Sequence, residues 1–148
     1  MVEVLVVVAV VAIIASLVVP GISELRERSG LRAARTLVVS ALSSARSAAI
    51  QKGKTATLTI ADGAISVSAL SGLRVAPVQI QGPVHINRTT GAVLAPLAGA
   101  PTEITYDARG LITPNSTRVA RYELRLGSRA DTLCITGAGM LMAKGCVL

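Results

Sequence analysis

A chain of 148 residues without Phe or Trp, in which 51% of the side chains are hydrophobic, has room for one small core built from Ala, Val, Leu and Ile. All fifteen Lys and Arg lie beyond residue 21 and meet only seven acids there, so that part carries +8 and suits an acidic partner, whether nucleic acid, an anionic lipid surface or an acidic protein. One His, no nucleophile motif, no Gly-rich phosphate loop and no close pair of carboxylates leave no catalytic or cofactor-binding residue to assign, and no enzyme is predicted. His85 stands far from Cys134 and Cys146, which speaks against a metal site.

The first element is a helix with no polar stripe. From Val4 to Val19 the only hydroxyl is Ser16, and the run would extend roughly 24 Å at ~1.5 Å per residue, a little short of a bilayer. A core helix of a soluble protein keeps a polar face, and a cleaved signal peptide has a basic start and a small-residue cleavage site; this stretch has none of these. Residues 1–21 are therefore predicted as a transmembrane segment, headed by Glu3 and closed by Pro20 and Gly21. A plain anchor does not explain Glu3, because a carboxylate at the edge of hydrocarbon is costly.

Residues 22–148 form the predicted globular domain. Its first part, about 22–52, is an amphipathic helix with Leu31, Ala34, Val38, Ala41, Leu42, Ala45, Ala48 and Ala49 recurring at steps of three and four. Thr36, Ser40, Ser43 and Ser47 lie opposite, and Arg28, Arg32, Arg35 and Arg46 cluster on a flank as a candidate basic contact surface. Glu24 sits one turn before Arg28, where the two attract. Gly30 is an irregularity in this helix and Gly53 ends it.

From Thr55 the period changes to two. TATLTI puts Ala56, Leu58 and Ile60 on one face, Asp62-Gly63 supplies a tight turn, and AISVSAL answers with Ile65, Val67 and Ala69. VHINR, EITYDA, VARYELRL, DTLCIT and MLMAKG are further strand candidates, punctuated by Gly82-Pro83, Gly91, Pro96, Gly99, Pro101, Gly110, Pro114 and Gly127. Within ARYELRL the residues Ala120, Tyr122, Leu124 and Leu126 face one way. The predicted fold is α+β. A long N-terminal helix, transmembrane in its first half and amphipathic in its second, packs its Ala-rich stripe on an antiparallel β-sheet over about 55–148.

The order of an acidic residue, an apolar span, a proline, an amphipathic helix and an antiparallel sheet resembles the type IV pilin and pseudopilin superfamily. Met1-Val2-Glu3-Val4-Leu5 is similar to the end of that family's processing motif, and Pro20 falls at the family's usual distance from the glutamate. There a prepilin peptidase cuts the precursor after a glycine, and the new amino-terminal phenylalanine is methylated. The resemblance implies a reading frame that starts upstream, with basic residues, a glycine and Phe-Thr before Met1. It also implies that Glu3 is an assembly residue, paired in the filament with the free amino terminus of a neighbouring subunit. Unpaired near the membrane centre, such a charge costs about 2.5–3.5 kcal/mol.

Within the superfamily, ALSSARSAAIQKGKTATLTI is similar to the helix end and first strand of the H-type minor pseudopilins of type II secretion and related minor pilins (GspH/FimT-like). EITYDARGLITP, with Tyr106 and Gly110, resembles their strand and turn, and Cys134 and Cys146 resemble the cysteines flanking their terminal hairpin. Two cysteines behind an export-type anchor suggest a disulfide, with two reduced buried thiols as the other reading. The resemblance implies a minor subunit of a secretion pseudopilus or a type IV pilus, with the filament tip as its place. Its partners would be other pilins of the same machine, the inner membrane and, for the precursor, prepilin peptidase. The domain would sit in the periplasm or outside, although by the positive-inside rule the arginines after Pro20 would by themselves keep it in the cytoplasm. The alternative is a DNA-binding minor pilin for natural transformation. Some such proteins carry Gly-Arg-x-Arg in the last hairpin, where this chain has Gly139-Met140-Leu141-Met142, so protein is favoured over DNA as the partner.

Overall fold

The structure, a computed structural model, describes residues 2–148 apart from 73–75, 98, 114–118, 143–145, 147 and 148, with the side chains of 15–22 and 119 also left out. Helix α1 runs from Val2 to Lys52 as one element and continues through positions 20 and 21. Its 51 residues extend about 75 Å at 1.5 Å per residue. Every residue from Val2 to Ile14 is exposed, the large apolar side chains by 49–74%. Leu31, Ala34, Val38, Ala41, Leu42, Ala45, Ala48 and Ala49 are all buried, as the period of three and four requires. At the end, Gly53 takes φ 59°, its N–H donates to the Ile50 carbonyl at 3.2 Å and the Lys54 N–H donates to the Ala49 carbonyl at 3.2 Å. This paired bonding is the Schellman arrangement, which satisfies the last carbonyls of the helix.

Strands β1 (Ala56–Ala61) and β2 (Ala64–Ala69) form the hairpin, with Ala61 opposite Ala64 across Asp62-Gly63. Asp62 at φ 50° and Gly63 at φ 68° give the two positive angles of a turn that matches strand twist. Next come β3 (Val78–His85), the short helix α2 (Ile86–Thr90), β4 (Val93–Pro96), β5 (Glu103–Tyr106), β6 (Val119–Leu126) and β7 (Arg129–Thr136). A four-stranded sheet has the order β3-β2-β1-β5 and a three-stranded one the order β4-β6-β7, with every pairing antiparallel. One core joins the α1 stripe to Leu58, Val67 and Ile104 of the first sheet and to Tyr122, Leu124 and Leu133 of the second.

Several strand expectations change. The sheet is split in two, because β4 and β5 lie on different sheets although they are neighbours in sequence. VHINR is strand only at Val84 and His85, the end of β3; Ile86–Thr90 is helical, closed by Gly91 at φ 76°. Gly82-Pro83 lies inside β3 and Pro96 inside β4; both are edge strands, where a missing N–H is tolerated. Strand β7 begins at Arg129, before DTLCIT, because Leu126 pairs with Arg129 across a two-residue turn. Of MLMAKG, Leu141 makes an isolated bridge to Ile135, and residues 143–145 lie outside the described ones.

Candidate assembly and partner-binding surface

Glu3 lies in the first turn of α1, where a carboxylate complements the positive end of the helix dipole, and it is exposed among apolar neighbours. The side chain of Pro20 lies outside the described residues. Among those residues, no helix is long and apolar enough to cross a membrane; side chains 15–22, which complete the apolar run in the sequence, are not among them.

The structure divides the four arginines. Arg28, Arg32 and Arg35 line a groove between α1 and the start of β7, together with Arg129 and Asp131. Arg28 reaches Glu24 Oε1 at 2.8 Å, and Arg129 contacts the same oxygen as well as Glu27 Oε2 at 4.0 Å. Ser128 Oγ donates to Glu27 Oε2 at 3.3 Å, so the β6–β7 turn is clasped to the helix. The hydrogen bond and charge of Arg28, followed by the charge of Arg129, hold the Glu24 carboxyl below its ordinary range. Arg35 donates to Asp131 Oδ2 at 3.3 Å and to the Met142 carbonyl at 3.1 Å. Arg32 is exposed; its carbonyl accepts from the Thr36 hydroxyl at 3.0 Å, while its guanidinium makes no hydrogen bond or ion pair among the described residues.

Arg46 belongs elsewhere. It lines a second groove with Val39, Ser43 and Met140, and its side chain covers Gly110. Gly110 has φ 77°, and an added Cβ would stand 2.8 Å from Ile50 Cδ1 and 3.0 Å from Arg46 Cγ. The participation of Arg129, Glu27 and Asp131 was not apparent from the helix pattern. The spacing of Glu24 and Glu27 by three residues was the one local sign that a cation from outside the helix would meet them.

Cys134 and Cys146 form a disulfide with their Cα atoms 5.5 Å apart. It pins the chain end beside β7, where the Met142 N–H donates to the Cys134 carbonyl at 2.9 Å and the Thr136 N–H to the Met140 carbonyl at 2.9 Å. Gly139 lies on the buried ring of Tyr106, whose hydroxyl donates to the Gly139 carbonyl at 3.4 Å. Tyr122 donates to the Pro101 carbonyl at 2.6 Å. Burial pushes both phenols up to about 12, a rise that Arg46 moderates at Tyr106 and the charge of Tyr106 reinforces at Tyr122.

A family model described as type II transport protein GspH matches residues 33–139. The fold is similar to that of the type IV minor pilin FimU of Pseudomonas aeruginosa strain PAO1. One crystal form aligns with a TM-score of 0.61 at 20% identity, covering 80% of this chain and 91% of that one. A second crystal form aligns with a TM-score of 0.54 at 18% identity, covering 77% and 92%. No curated protein matches the sequence. The helix with its buried alanine stripe, the two antiparallel sheets and the cysteine-pinned end thus occur together in a chain that belongs to the GspH family of type II transport proteins, within the pilin and pseudopilin superfamily.

Proposed function

We propose that the chain is a minor subunit of a type II secretion pseudopilus, not an enzyme. Residues 1–21 pass once through the inner membrane and residues 22–148 form a domain in the periplasm or outside. Subunits assemble through α1, with Glu3 pairing with a neighbour's amino terminus and Pro20 at the boundary between the two regions. The observation that carries this reading is the exposed apolar length of α1. A helix apolar on every side has no stable place in water and needs hydrocarbon or a bundle of like helices. The family description favours secretion over a pilus, and the likeness to a minor pilin concerns the fold. Prepilin peptidase processing of a longer precursor and a place at the filament tip belong to the same reading.

Deletion of the gene tests it. Loss of exported proteins from the medium, with twitching pili and transformation intact, supports the secretion role. Loss of transformation, with duplex DNA binding at physiological salt abolished by substitution of Arg121, Arg125 or Arg129, would replace it with DNA uptake.

A further inference from the structure

The groove between α1 and β7 encloses about 430 Å³. Four guanidinium groups converge there. Three are engaged within the chain: Arg28 by Glu24, Arg129 by Glu24 and Glu27, and Arg35 by Asp131 and the Met142 carbonyl. Arg32 lies one helical turn from each of Arg28 and Arg35 and has no such partner among the described residues. Four cations and three carboxylates therefore leave one positive charge, placed on an exposed side chain above the apolar Leu31.

We propose that Arg32 receives an acidic side chain from a neighbouring pilin-like subunit, its guanidinium donating to that carboxylate. The proposal rests on the filament reading and adds to it a residue and a partner chemistry. Two alternatives fit the geometry less well. Arg32 follows Val19, the last residue of the apolar run, by thirteen residues on one continuous helix, which places it about 20 Å farther along the axis. The headgroup layer on one side of a bilayer is only about 5–8 Å thick, so lipid phosphates stay out of reach even of an extended arginine. A nucleic acid would need several phosphate contacts, and Glu24, Glu27 and Asp131 would repel its backbone. One carboxylate matches the one cation of this groove whose side chain is unengaged among the described residues.

The test uses the full chain, co-expressed with the pilin-like subunits encoded beside it, and measures its recovery with them from the membrane. Arg32→Glu should lower recovery by about tenfold or more, because like charges are then placed together. Arg32→Lys should retain most of it. Thermal unfolding of the domain should be unchanged in both variants, since Arg32 supports nothing inside it. Recovery with Arg32→Glu should return when an Asp or Glu of a companion subunit is changed to Lys. Wild-type recovery of Arg32→Glu would overturn the proposal while leaving the filament reading intact. So would suppression confined to apolar positions, or an Arg32→Glu defect confined to binding of phosphatidylglycerol vesicles or duplex DNA. If the wild-type chain associates with no companion subunit, the filament reading itself fails.

Discussion

Gly30 shows how a single position can contradict local preference for a good reason. Helix propensity alone favours Ala there by about 1 kcal/mol. An added Cβ, however, would stand 2.5 Å from Leu126 Cδ2 and 2.9 Å from the Thr90 carbonyl oxygen, and the second of these is backbone. Overpacking of this kind costs about 1–3 kcal/mol, so Gly30→Ala should destabilise the domain by about 1 kcal/mol net, read as a lower midpoint in chemical denaturation. A raised midpoint would contradict the close packing of α1 on α2 and β6. Sequence reading could register Gly30 only as an irregularity, because its neighbours Thr90 and Leu126 are distant in the chain. The two tyrosines give a pH test, undisturbed by Trp because the chain has none. Their folded pKa values lie near 12 against an ordinary 10.0. The folded state therefore holds its protons longer than the unfolded one. The stability contributed is complete below about pH 10 and is lost as the pH rises toward 12. Tyrosinate absorbance should consequently appear together with loss of secondary structure above pH 10. Ionisation of both phenols near pH 10 in a fully folded domain would contradict their burial.

Elements whose cause is local could be read in advance. The α1 stripe, the Asp62-Gly63 turn and the Gly53 terminus follow from period and turn chemistry, and the structure has each of them. The division into two sheets could not, since it depends on β4 choosing β6 as its partner across an intervening strand. Pro83 and Pro96 read as breaks until the edge position of their strands was known. The chain end is an element held by a covalent tie. Closing the loop from Cys134 to Cys146 is worth ~3 kcal/mol in the chain-entropy account. Reduction should lower domain stability by about that amount and release the segment that covers Tyr106, which proteolysis after Thr136 would reveal. An unfolding midpoint unchanged by reductant would show that the hairpin bonds and the Arg35–Met142 contact suffice by themselves.

Across the whole molecule, one continuous helix α1 has, in the proposed reading, two environments to serve. Its C-terminal half is buried in the domain by small side chains that let two sheets approach, and toward its N-terminus the residues from Val2 to Ile14 are exposed. The sequence made that asymmetry legible, because an all-round apolar run and a striped helix have different patterns. The basic flank was only half legible. Helical spacing brought Arg28, Arg32 and Arg35 together, but Arg129, which engages Glu24 from 105 residues away, separates the arginines with internal roles from Arg32. The central claim of the proposed function is that the apolar N-terminal stretch of α1 serves assembly, with Glu3 as its electrostatic key. The direct measurement is the recovery of full-length Glu3→Ala with its companion pilin-like subunits from membranes. The account predicts a folded, membrane-inserted protein that is lost from the assembled complex, since burying the carboxylate is favourable only against a partner's amine. Recovery of Glu3→Ala at the wild-type level would contradict it.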